Sequence, residues 1–290
     1  MRSRGLKLAC TFILGWTGLA LAAAATLHAP STVTAGQSFK IQTEGSGDAT
    51  FYLLGPSVAF KQSIQLGSDV NIAGEKVTSA GNYVAIACAG DDCAKTAIEV
   101  RAGEPARLSF FLHPSRVPVS TPNAIDATAF VFDRYYNPVL DATKVDFQIA
   151  PAAAAAYSQA VSSQRGVAWM RMGSSGKGGP VRITAAIGER NEPRVIQQVA
   201  AEACGLRIKA ASDKKGLNLE TDPVRDCSGN PLPDGTVVTF TALDSAGKTT
   251  VDAPIKQGVA RTRLMVKGRA RVSVACGVVL GNELSIAGNM

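Results

Sequence analysis

Histidines, aromatic residues and catalytic motifs are all scarce in this chain. His28 and His113 are its 2 histidines, and aromatic residues make up 6% of the sequence. No stretch reads as a Gly-x-Ser-x-Gly elbow, a His-Glu-x-x-His helix, a Gly-x-x-x-x-Gly-Lys-Ser/Thr phosphate loop or a Gly-x-Gly-x-x-Gly turn between strand and helix. His113 precedes Pro114 after an apolar run and has no partnered nucleophile, so it reads as an edge residue rather than a base. Asp91 and Asp92 are adjacent in a loop, where nothing fixes them across a substrate as glycoside hydrolysis demands. The Gly-rich stretch 173–179 joins two predicted strands and reads as a hairpin loop. The chain is therefore expected to be no enzyme, with no cofactor and no metal site.

Concentrated charge is lacking as well. The formal charge of the 290 residues is +7, and three of the basic residues, Arg2, Arg4 and Lys7, lie at the very N-terminus. The densest basic stretch, Arg261 to Arg271, alternates with apolar residues and suits a solvated strand face. A nucleic-acid groove needs a concentrated basic surface and stacking rings, so no nucleic-acid partner is expected. Long apolar runs are confined to Leu8–Ala25. Behind Arg2, Arg4 and Lys7, and ending in the small residues Ala22 to Ala25, this run reads as a secretory signal over 1–25. Its rival is an uncleaved anchor, since about 18 apolar residues could just span a bilayer. With cleavage near Ala25 or Thr26 the mature chain has no membrane span and is exported: periplasmic, extracellular or cell-surface associated.

What the chain does contain is short alternating apolar runs cut by turn residues, and a repeat. Asp133-Arg-Tyr-Tyr-Asn137-Pro138 leads into Val145-Asp-Phe147, and 93 residues on, Asp226-Cys-Ser-Gly-Asn230-Pro231 leads into Val237-Val-Thr-Phe240. Gly166-Val-Ala168-Trp-Met-Arg171 is echoed by Gly258-Val-Ala260-Arg-Thr-Arg263, and Arg182-Ile-Thr-Ala-Ala186 by Arg271-Val-Ser-Val-Ala275. The offset shrinks to 92 and then 89 residues, as small loop deletions would cause while strand order is kept. Proline fixes φ and has no donor, so each Asn-Pro is expected to be a structural turn made by Asp133, Asn137 and Pro138 and by Asp226, Asn230 and Pro231. Calcium ligation would need several converging carboxylates, and each copy offers too few. Residues 26–102 show strands at Phe39–Thr43, Ala49–Leu53, Ser63–Leu66, Glu75–Thr78, Asn82–Cys88 and Lys95–Val100, a spacing that favours a β-sandwich. Gly81-Asn-Tyr83 stands where an immunoglobulin-like sandwich has a corner tyrosine.

The repeated Asp-x-x-x-Asn-Pro, Gly-Val-Ala and Arg-Val/Ile-Ser/Thr stretches resemble the bacterial Ig-like domain of the invasin/intimin type (Big-1). The likeness covers 104–200 and 204–285, whereas 26–102 is Ig-like only in general pattern. It implies an all-β chain of tandem immunoglobulin-like sandwiches, with domains at 26–102, 104–200 and 204–290. The short joint at Arg101–Pro105 implies a semi-rigid array. Trp169 lies on a strand of the second domain, either filling the space between sheets or stacking on sugar.

In an exported chain the default for cysteine is disulfide formation. Cys88 and Cys93 flank a four-residue hairpin loop and pair locally. In an Ig-like sandwich Cys204, Cys227 and Cys276 would share one pole. A hairpin about Asp213–Gly216 would set Cys204 opposite Cys227 and leave Cys276 over. The function expected is that of a structural or adhesion-type binding module of the bacterial cell envelope, with a protein or glycan partner. The alternative is a periplasmic accessory protein that binds polysaccharide or assists assembly of a surface or secretion complex.

Overall fold

The computed structural model describes residues 25–213 and 216–287. The signal segment, Lys214 and Lys215 of the predicted third-domain hairpin, and the last residues lie outside them. Strands dominate throughout, and the helical element among the described residues is the 3-10 turn Gly74–Lys76. The chain divides into two compact units, parting between Ala102 and Gly103.

The first unit is one sandwich. A 3-stranded sheet of Thr26–His28, Phe39–Glu44 and Asp69–Ile72 faces a 5-stranded sheet built on Asp48–Gly55, Gly81–Ala89 and Asp92–Arg101. Alternation explains the layering, since Ile41, Phe51, Leu53, Tyr83, Ala85 and Ile98 are buried while their neighbours along each strand face outward. Tyr83 is wholly buried, and its hydroxyl donates to the Ser79 carbonyl at 2.9 Å. Burial pushes the phenol pKa up, and its bonds to Ser57 and Ser79 offset this only in part. A Cβ at residue 55 would collide with the Tyr83 ring, so the corner requires Gly55. The expected strand Glu75–Thr78 is instead the 3-10 turn, because Gly74 lies against the Gly36 backbone and accepts the Val77 amide.

The second unit holds two sets of strands that pair only among themselves. From Arg107 to Val199, a 3-stranded sheet of Arg107–His113, Ile125–Phe132 and Val167–Met172 opposes a 5-stranded sheet centred on Lys144–Pro151 and Gly179–Ile187. Phe110, Ile125, Ala127, Ala129, Val131, Phe147, Ile149, Ile183 and Ile196 fill the space between them. From Ile208 to Ile286 the strands form one 7-stranded sheet that folds over on itself, apart from Arg225–Asp226, which pairs with Ala203–Cys204. Its bend is Gly247–Lys256, which pairs with Val237–Asp244 along most of its length and with Val259–Leu264 at its end. Phe240, Val238, Ile255, Val272 and Leu219 make that core, so Val238 and Phe240 point inward while Val237 is exposed.

The two Asp–Asn turns superpose in their bonding. Asp133 Oδ1 accepts the amides of Tyr135 (2.8 Å) and Asn137 (2.9 Å), and Oδ2 accepts Asn137 Nδ2 (2.8 Å) and the Gly103 amide (2.9 Å). Asp226 Oδ1 accepts the amides of Ser228 and Asn230, both at 2.9 Å, and Oδ2 accepts Asn230 Nδ2 and the Ala201 amide, both at 3.0 Å. Each buried carboxylate thus organises its own turn and ties down the segment that enters its sandwich. Burial alone would raise both pKa values, but the converging N–H donors hold them below the usual carboxylate range. In the second copy Asn230 also reaches the preceding sandwich, donating to Gly176 O at 2.9 Å and accepting from Gly178 N at 3.0 Å. The Gly-rich loop 173–179 is thereby docked on the next repeat, where Ser120 and Ser228 hydroxyls also meet at 2.7 Å.

Candidate functional site

The outer face of the 3-stranded sheet at 107–172 departs from the polar surface expected of a sandwich. Register places Thr128 between Phe111 and Trp169, and Phe130 between Ser109 and Val167. Trp169 is 52% and Phe111 54% exposed. Of the two roles open to Trp169, filling the gap between sheets is therefore excluded, because its neighbours Ala168 and Met170 take the inward positions. Phe111 meets Phe130 edge-on at 5.8 Å, and Phe132 meets Tyr136 at 6.4 Å. Phe130 and Phe132 are two residues apart on one strand, so the two ring pairs share a face, with Trp169 beside them across Thr128, and together they mark out a row from Trp169 to Tyr136.

Polar groups frame that row. Arg171 lies 5.5 Å from the Trp169 ring centre and donates to Asp126 Oδ1 at 2.6 Å and Oδ2 at 3.2 Å. This pairing holds the Asp126 carboxyl below the usual carboxylate range and the guanidinium above its own. His113 is cross-strand to Asp126. At the other end Arg107 lies over the Tyr136 ring at 4.3 Å and donates to its hydroxyl at 3.0 Å. The arrangement offers flat aromatic surface beside fixed hydrogen-bonding groups, which suits binding and contains no nucleophile placed beside a base.

The same face of the next repeat is built differently. There Lys209 and Arg261 flank Glu220, in the positions of Phe111, Trp169 and Thr128. Arg261 grips Glu220 at 2.9 and 3.0 Å, Lys209 pairs with Asp222, and Arg263 donates to Asn218 at 2.8 Å. Ion pairs thus cover this sheet where rings cover the other. Arg271, within the expected basic stretch, is likewise paired, with Glu283 at 3.0 Å.

The structure joins Cys88 to Cys93, a directly cross-strand pair with Cα atoms 4.1 Å apart, and Cys204 to Cys227, with Cα atoms 5.0 Å apart. Cys276 is free and buried, and burial pushes its thiol pKa up, which keeps it protonated and unreactive. Among the described residues no three His, Cys, Asp or Glu side chains cluster to hold a metal, and no helix is long and apolar enough to cross a membrane. Phe111, Phe130, Phe132, Tyr136 and Arg107 were not singled out by the sequence. The available signal was that Ala127–Phe132 is apolar on alternate positions of both parities, apart from Thr128, although only one face of a sandwich strand is covered.

No protein-family model matches the chain, and no curated protein matches it in sequence. Solved structures do. The chain is similar to the Escherichia coli adhesin FdeC, with 15% identity over 91% of this chain and 96% of that one, at a TM-score of 0.58. It is similar to invasin, a bacterial integrin-binding protein, at 10% identity over 91% of this chain and 59% of that one, TM-score 0.53. Yersinia pseudotuberculosis InvD matches at 10% identity over 91% and 97% of the two chains, TM-score 0.51. At such identities the likeness is one of fold, and that fold is the all-β, Ig-like sandwich architecture that these proteins share.

Proposed function

We propose that this protein is an exported, adhesion-type binding module of the bacterial cell envelope, and that its binding surface is the ring row from Trp169 to Tyr136. The observation that carries this reading is the contrast between repeats: the same sheet face holds rings in one and ion pairs in the other. Leaving Phe111 and Trp169 half exposed forgoes about half of the stabilisation of burying them fully, on the order of 1 kcal/mol per side chain. A partner that covers them recovers it. The adhesin FdeC, invasin and InvD support the reading through their fold, and the cysteine bridges suit an oxidising compartment.

Two experiments test it. Cell fractionation with N-terminal sequencing is expected to find the protein in the envelope or medium beginning near Ala25 or Thr26; an unprocessed cytoplasmic chain contradicts export. The mature protein is then applied to a glycan array and to immobilised cell-surface extracts. Retention that survives Arg261→Gln but is lost in Trp169→Arg supports the face, and equal retention by both variants refutes it.

A further inference from the structure

Where the ring row ends at Tyr136, a cleft of about 400 Å³ opens, lined by Arg107, Arg134, Arg190, Tyr136, Asn191 and Glu192. Its volume is in the range of small-ligand sites. Its charge is lopsided, with three guanidinium groups against one carboxylate. That carboxylate is engaged, since Glu192 Oε2 accepts the Phe110 amide at 2.7 Å and Arg194 at 3.3 Å.

Two of the three arginines are held by rings instead of carboxylates. Arg107 lies over Tyr136 and also donates to the Arg134 carbonyl at 3.3 Å. Arg134 lies 4.6 Å from the Tyr135 ring centre and donates to its hydroxyl at 2.6 Å. Among the described residues neither these two nor Arg190 belongs to an ion pair, whereas Arg171, Arg261 and Arg263 each hold a carboxylate. Stacking fixes the plane of a guanidinium without neutralising it, and with Arg107 Nε and Nη1 and Arg134 Nη2 engaged by these bonds the remaining N–H groups and Arg190 are left for a ligand.

Backbone conformation adds an independent sign. Tyr136 has φ 66°, while Gly229, its counterpart in the next repeat, has φ 81°. A left-handed conformation costs a residue with a Cβ about 1–2 kcal/mol. Glycine is the free solution there, and the tyrosine that replaces it in this copy is the ring that orients Arg107.

We propose that the cleft takes the carboxylate of an acidic polysaccharide whose neighbouring sugar rings lie along Phe130, Phe111 and Trp169. This rests on the ring row being the binding surface. Arg107 and Phe111 are four residues apart on one strand, roughly 13 Å at about 3.3 Å per residue, so a short oligosaccharide spans both. A guanidinium fork matches a carboxylate in two-point geometry. Ser109, Thr128 and Asn191 supply hydroxyl and amide partners between and beside the rings. Ser109 and Thr128 stand beside the rings on the face of the sheet, which a sugar covers, whereas a peptide strand would add along the edge strand Arg107–His113.

The test is an array of uronic- and sialic-acid oligosaccharides beside carboxyl-reduced counterparts, with poly-glutamate as the peptide control. It is probed with the mature protein and with Arg134→Gln/Arg190→Gln, both checked for unchanged melting. The wild type is expected to prefer carboxylated members at least ten-fold at low salt. The double variant should lose that preference while still binding the reduced forms. An absent preference, a double variant that keeps it, or tighter retention on poly-glutamate overturns the assignment. If Trp169→Arg abolishes binding that the arginine variant retains, the face stands and the cleft falls. If neither variant changes binding, both fall.

Discussion

The two sandwiches of the second unit share a skeleton and differ in what they show to solvent. Both hang their entering segment on a buried aspartate, through Asp133 and Gly103 in one and Asp226 and Ala201 in the other. Both pass a backbone bond from the strand before the turn to a glycine after it, Val131 N to Gly166 O and Val224 N to Gly258 O, each at 2.8 Å. On the outer face the likeness ends, with Phe111, Thr128 and Trp169 opposite Lys209, Glu220 and Arg261. What the copies share is what folding requires, and what they do not share is where a function specific to one copy must lie.

That division can be strained at several points. The largest effect is expected at the shared aspartates. Asp133→Ala and Asp226→Ala should each cost about 3 kcal/mol, because four N–H donors lose their acceptor in a buried site. Urea unfolding measures this, and a loss below about 1 kcal/mol at either site would separate the two skeletons. Both folded carboxyl pKa values are depressed, so their stabilisation is complete above the unfolded value of about 3.9. It is lost as pH falls through the lower folded value, and Asp→Asn variants should flatten this acid limb in thermal melts. Next in size, Gly229→Ala should cost about 1–2 kcal/mol for its left-handed backbone. Tyr136→Gly should cost less than that, since relief of the same strain offsets the lost ring contacts. A larger loss at Tyr136 would make the ring a structural element instead of a binding one. The smallest effect is expected for Glu220→Gln, which should leave the urea midpoint unchanged, because its pairing with Arg261 is half exposed and screened. A clear fall in that midpoint would mean that the ionic face is itself structural.

The architecture was legible because it rests on periodicity and turn chemistry. Asn-Pro and the alternating strands after it are local signals, and Val238 and Phe240 fall inward as alternation demands. Glu75–Thr78 misled, since a strand-like composition there yields to the close approach of the Gly36 and Gly74 backbones, a contact between distant residues. The docking of Asn230 on the Gly-rich loop was equally hidden, because it joins residues 54 apart. The ring row was half visible. Trp169 on its predicted strand reads as either an inter-sheet filler or a sugar-stacking ring, but Phe111, Phe130 and Phe132 sit in apolar runs that read as buried on both faces. Setting Asp126-Ala-Thr-Ala-Phe-Val-Phe132 against Asn218-Leu-Glu-Thr-Asp222 shows the clue: the second copy alternates cleanly, and the first does not.

The central claim is that binding belongs to the ring row of one sandwich. Its most direct measurement exchanges the two faces in the mature protein, with Phe111→Lys/Trp169→Arg in one variant and Lys209→Phe/Arg261→Trp in another, each compared with the wild type for glycan and cell-surface retention. The account predicts at least a ten-fold loss for the first variant with melting unchanged, and no loss for the second. Full retention by the first, or loss by the second alone, would contradict it.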